Sequence, residues 1–226
     1  MAGYVSVLRS GAAISMVALQ LGFAGAQPKL SGHIDNAETV ADLIAYNQDH
    51  NPGLSIPGEG RIERTKGIIT RWELPIPVAA DPLVSSADVH DAMAFWESAT
   101  GLPFVAVHLN AEPRLVFRAA EAKELNVAIG LGLVYRTYAN NRAKRAVVKI
   151  RMDFAACSTQ PSCPWLFRHE LGHAIGILGH IKGGALMGTP PIDTRPSPRE
   201  VAMLQQLYKL PHGTHIAPDG TWSVVK

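Results

Sequence analysis

The chain has 226 residues, 47% of them apolar and only 18% charged, with a formal net charge of +2. That length suits one domain of ordinary size, with enough apolar material for a single core. A charge so near neutral argues against nucleic acid as the main partner, because phosphate binding needs a concentrated basic surface.

In chain order, residues 1–26 read as a signal peptide. Arg9 gives a weak positive start, Gly11 to Ala26 is apolar, and Ala24-Gly25-Ala26 is a small-x-small cleavage pattern. Gln20 and the glycines interrupt the run too often for a comfortable membrane span; an uncleaved anchor or an N-terminal helix is the alternative. The expectation is a secreted or periplasmic monomer with no stable membrane anchor. Residues 27–60 are polar and turn-rich and read as an N-terminal arm or a short pro-region. Within them only 37–47 hints at a helix, with Val40, Leu43 and Ile44 on one side. The functional domain is expected over 61–212, with 213–226 as a C-terminal tail.

Ile68 to Trp72 and Leu74 to Val78 read as extended, and Pro75 and Pro77 predict an edge or an exit from the sheet. A helix is predicted over 86–100. Ser85 and Asp88 have capping-box spacing, Val89, Ala92, Met93 and Trp96 share one face, and Gly101 with Pro103 stops it. Strands follow over 104–109, 114–118, 127–138 and 146–154. In the last, Val148, Ile150 and Met152 alternate with Lys149 and Arg151. A polar turn over 140–145 joins the last two. The basic cluster Arg142, Lys144, Arg145, Lys149 and Arg151 reads as a solvated hairpin, the other reading being attraction to acidic substrates or an anionic cell surface.

Cys157 and Cys163 are the only cysteines. In an exported chain an even count suggests a disulfide, which over so short a loop stiffens locally. Free thiols or a second metal site are the alternatives. A helix is predicted from Trp165 to Ile175, with Pro164 in its first turn and Gly176 as a left-handed exit. A last helix follows Ser197-Pro198-Arg199-Glu200, which combines a cap, a proline start and a glutamate at the third position. Its apolar stripe is Val201, Leu204, Leu207 and Tyr208.

The chemistry sits in His169-Glu170-Leu171-Gly172-His173-Ala174-Ile175-Gly176-Ile177-Leu178-Gly179-His180. His169 and His173, at i and i+4, share one helix face and can reach a single metal ion. With His180 as a third nitrogen ligand, a zinc ion keeps an open fourth position for water. Glu170 lies one residue off the ligand stripe and can act on that water as a base. His33, His50, His90, His108, His212 and His215 have no partner spacing and read as incidental.

These residues carry a resemblance. The chain resembles the metzincins, most closely the matrixin (matrix metalloproteinase-like) catalytic domain, whose pattern is HExxHxxGxxH followed by a methionine turn. His169, Glu170, His173 and Gly176 match position by position, and Ala185-Leu186-Met187 is similar to the family's ALM turn. The stretch 197–208 is similar to the matrixin C-terminal helix. Phe95-Trp96 with Leu102-Pro103-Phe104 looks like its first helix and exit. The resemblance covers 61–212 and is strongest over 165–210. It implies an α+β zincin domain: a mixed twisted sheet, an active-site helix, a backing helix and a C-terminal helix.

Three departures stand out. The family's third histidine position is Gly179, and His180 comes one later, so the added residue must bulge. A downstream carboxylate is the fallback ligand, but Glu200 already fits its own capping box and Asp193 has no supporting pattern. No cysteine lies in 27–60 to hold the metal in a latent state; an inhibitory arm would need Asp35, His33 or steric cover. No tyrosine follows Met187, which favours the matrixin-like subgroup.

The implied function is a zinc-dependent endopeptidase. Zinc lowers the pKa of a bound water, and Glu170 takes its proton and passes it to the leaving nitrogen. The substrate is expected to lie along a strand edge, from 146–153 or 127–137. Met187 forms the floor below the ligands, and by resemblance Thr189 to Asp193 lines the pocket beyond the scissile bond. Calcium is known in relatives, but no dense acidic loop marks a site here. The alternative function is an exported binding or adhesion module with a structural zinc and no significant turnover.

Overall fold

The computed structural model describes residues 31–46, 55–56, 60–61, 68–121, 123, 132–139, 142–151, 163–177, 179–181, 185–188 and 194–225. Its main sheet has five strands, β4 (Ile76–Ala80), β5 (Phe104–Ala106), β6 (Arg114–Ala120), β7 (Gly132–Ala139) and β8 (Arg142–Arg151), in the order β5-β4-β6-β8-β7. Strands β5, β4, β6 and β8 run parallel, and β7 is antiparallel to β8. Helices α2 (Ser86–Thr100) and α3 (Cys163–Ile175) pack on each other, and α3 also lies against β7 and β8. Helix α4 (Pro198–Lys209) follows the site. The architecture is α+β with a mixed sheet.

The helices start where their caps dictate. Ser85 accepts from the Asp88 N–H, and Gly101 closes α2 at φ 76°. Ser197 and Glu200 form the complete reciprocal capping box of α4. The core forms where apolar faces meet. Leu115 and Phe117 of β6 stand beside Ala146 and Val148 of β8, and Phe117 stacks on Phe167 of α3 at 5.7 Å.

Four expectations about the sheet need correction. Pro77 lies in β4, which is flanked on both sides, rather than at an edge. Ile76 N–H donates towards β5, to the Pro103 carbonyl, so the next residue's nitrogen faces β6. Pairing with β6 begins only at Val78, so no partner loses a bond to the missing proline N–H. Residues 68–72 make only isolated bridges, Ile68 with His215 and Arg71 with Arg142. The segment read as a polar turn is largely strand, because β8 begins at Arg142. Ala146, Val147 and Val148 are all buried, since Val147 meets Ala79 and Val116 on the second face of the sheet.

Residues 31–33 and the segment 214–224 are woven together. β1 (Ser31–His33), β10 (Thr221–Val224) and β9 (Thr214–Ile216) form an antiparallel sheet in the order β1-β10-β9. Helix α1 (Ala37–Tyr46) packs on α4 with Val40 and Leu43 in the core. Part of the expected arm and most of the expected tail are thus built into one structure. β2 (Ser55–Ile56) and β3 (Gly60–Arg61) pair antiparallel with each other. No helix among the described residues is long and apolar enough to cross a membrane.

Candidate metal centre

Helix α3 is fixed at several points before it presents a ligand. Trp96 Nε1 donates to the Arg168 carbonyl at 2.7 Å, and Trp72 Nε1 donates to Ala174 O at 2.9 Å. The Tyr208 hydroxyl donates to Ile175 O at 2.8 Å, and Ile177 N–H to Gly172 O at 3.0 Å. The last three of these bonds satisfy carbonyls that a helix C-terminus leaves orphaned. Arg168 adds a two-bond ion pair with Asp91 of α2 at 2.9 and 3.1 Å.

On this fixed helix, His169 and His173 share a face, and His180 reaches them across the exit. Nε2 of His169 lies 3.1 Å from Nε2 of His173 and 3.3 Å from Nε2 of His180. Tetrahedral zinc with nitrogens at its usual bond length separates them by ~3.3 Å. Ligand nitrogens of all three fall within 4.8 Å of one another, the one such group among the described residues. The chain thus places His180 within reach despite the added residue.

Protonation supports the fit. His169 Nδ1 lies 2.7 Å from Leu186 O, and His173 Nδ1 lies 2.5 Å from Ile177 O. A carbonyl only accepts, so each Nδ1 carries the proton and each Nε2 turns a lone pair inward. Burial lowers the His169 pKa to about 4, with a smaller contribution from the nearby His180, and burial also lowers that of His180. His169 is therefore neutral at pH 7, and its lone pair faces that of His173 across 3.1 Å. A cation between them removes that repulsion. The donor set suits a borderline metal such as zinc, copper, nickel or iron better than calcium or magnesium, which prefer oxygen.

Glu170 is buried, 6% exposed, and burial alone raises its pKa to about 8. The Trp165 ring lies 5.3 Å from that of His169 at 30° and covers one side of the ligand. Met187 is buried beneath α3. A Cβ on Gly172 would come within 2.5 Å of Met187 Sδ and 2.8 Å of Trp96, so only glycine lets the methionine sit this close. Gly176 takes the positive φ expected of the helix exit, 158°, which side chains rarely adopt, and it also matters through contact. A Cβ there would meet Leu207 at 2.5 Å.

Glu200 is not a ligand. Its Oε1 accepts from Met187 N–H at 2.8 Å and its Oε2 from Ser197 N–H at 2.5 Å. The capping pattern revealed the second bond, but no local signal pointed to the first. His33 and Asp35 pair with each other at 3.7 Å and do not join the three histidines. Asp193, Cys157 (hence the expected bridge to Cys163) and the pocket segment 189–193 lie outside the described residues.

No protein-family model matches this chain, and no curated protein matches it.

Proposed function

We propose that the protein is an exported zinc-dependent endopeptidase with a metzincin, matrixin-like catalytic domain. The observation that carries this reading is the convergence of three imidazole nitrogens, two with their protons held outward by carbonyls, on a helix whose residue after His169 is the buried Glu170. A structural site has no need of that carboxyl, which costs stability where it stands.

His169, His173 and His180 would hold the ion. When bound, zinc supplies Lewis acidity, activating water and polarising a peptide carbonyl. Glu170 takes the proton of the attacking water and delivers it to the leaving nitrogen. Its raised pKa belongs to the chain without metal; a neighbouring dication favours the carboxylate a base requires. The peptide lies antiparallel or parallel to β7. β8 is internal to the sheet, whereas β7 is an edge strand and packs against α3. Edge N–H and C=O groups there can pair with an extended substrate.

The test uses the secreted chain loaded with zinc, on casein and on a peptide library. Glu170→Ala should keep its zinc and lose hydrolysis. Equal, undetectable hydrolysis in both zinc-loaded forms would favour the alternative binding module. His180→Ala should bind zinc about a hundredfold more weakly in a chelator competition, since it loses one of three ligands. Unchanged affinity would remove His180 from the site.

A further inference from the structure

The polar residues Asp42 and Glu38 and the core residues Val40 and Leu43 all belong to the segment first read as an arm or pro-region. Arg199, in the first turn of α4, meets Asp42 through two bonds of 2.6 Å each and Glu38 at 2.7 Å. The Asp42 side chain is only 3% exposed. A buried carboxylate tolerates that position only if it is paired and hydrogen-bonded, as it is here. Nearby, Ile34 N–H donates to Gly220 O at 2.9 Å, and β1 pairs with β10 over three residues. Excising this segment would strip Arg199 of both carboxylates, open the core at Val40 and Leu43, and uncover β10.

The same turn of α4 leads directly to the metal centre. Arg199 is followed by Glu200, which is fully buried. Glu200 grips the N–H of Met187, while His169 Nδ1 donates to the carbonyl of Leu186. That N–H and that carbonyl belong to one peptide unit, which is planar and rigid. If it turns, both bonds are lost together, and the His169 ring loses the partner that fixes its orientation.

We infer that residues 31–46 are a permanent part of the working protein, and that the Asp42–Arg199 ion pair positions the metal centre by fixing the turn of α4 from which Glu200 holds the Leu186–Met187 peptide. Asp42, Glu38 and Arg199 are positioning residues; none touches the ligands. The inference rests on the reading of His169, His173 and His180 as metal ligands.

The test uses the full secreted chain with Co2+ as the probe, read by its visible d–d absorption and by chelator competition. Asp42→Asn and Arg199→Leu should each weaken Co2+ binding about tenfold and shift the absorption band, and the double variant should be little worse than either alone. Variants that fold by circular dichroism yet match wild type in affinity and spectrum overturn the inference. If neither folds, Glu38→Gln removes only the exposed branch of the clasp. A weaker effect in the same direction then supports the inference, and none overturns it. The intact mass of the Co2+-binding species gives a second check: a start at or before Ser31 is expected, and a start beyond Tyr46 overturns the inference. Failure of the metal reading looks different, because wild type itself would then take up no Co2+.

Discussion

Two buried glutamates sit on consecutive helices, and the chain treats them in opposite ways. Glu200, in the first turn of α4, accepts from two backbone N–H groups and stands at a helix N-terminus, where negative charge is favoured. Glu170, midway along α3, has burial as the sole cause of its raised pKa. The first carboxylate is satisfied and structural. The second is held in a costly environment, one residue after the first of three clustered imidazoles. A buried acid without compensation is what a site arranged to use its proton looks like, and a compensated one is what a fold uses as a joint.

Substitution should separate the two most sharply in turnover. Glu170→Ala is expected to lower kcat by 10²–10⁴, on the order of what a general base supplies, with the melting temperature of the zinc-loaded protein little changed. A full rate in Glu170→Ala would erase the contrast. Next in size, Glu200→Ala leaves the Met187 and Ser197 N–H groups without their acceptor. Chemical denaturation should register a loss of about 3 kcal/mol, while Glu200→Gln, which keeps one acceptor oxygen, should lose less than half of that. Equal stability of Glu200→Ala and wild type would mean that the buried joint carries no weight.

The sequence made the local half of this contrast readable and hid the long-range half. Ser197, Pro198 and Glu200 announce α4 because a capping box closes within three residues, and His169 with His173 announce a shared face through helical periodicity alone. Ser85 and Gly101 delimit α2 for the same reason. The bond from Glu200 to Met187 spans 13 residues across a turn, and Arg199 meets Asp42 157 residues away. No periodicity encodes such pairs, so a segment with one weak helical signal read only as an N-terminal arm or a short pro-region. Pro77 misled in a different way: proline forbids a bond on one side of a strand, and a parallel ladder that starts one residue later leaves that side free. Gly172 gave no signal of its role, and Gly176 signalled only the helix exit, because contact with Met187 and Leu207 depends on how distant elements pack.

The smallest expected difference is one of slope with pH, in the chain stripped of metal. The Glu170 pKa is raised from 4.5 to about 8, so the unfolded chain ionises first. Below 4.5 the residue contributes nothing; as pH rises from there towards 8, the folded state loses stability. His169 has the opposite sign. Its pKa is lowered from 6.5 to about 4, so its contribution is complete above 6.5 and lost as pH falls towards 4. Burial shifts His180 in the same direction. From 4.5 to 6.5 the Glu170 and His169 slopes oppose each other, and above 6.5 that of Glu170 stands alone. Glu170→Gln removes that term and should stabilise the metal-free chain at pH 7 by about 3 kcal/mol, with the gain vanishing near pH 4.5. Urea denaturation of wild type and Glu170→Gln from pH 4 to 8 checks this, and parallel curves for the two would mean that burial does not penalise the Glu170 charge.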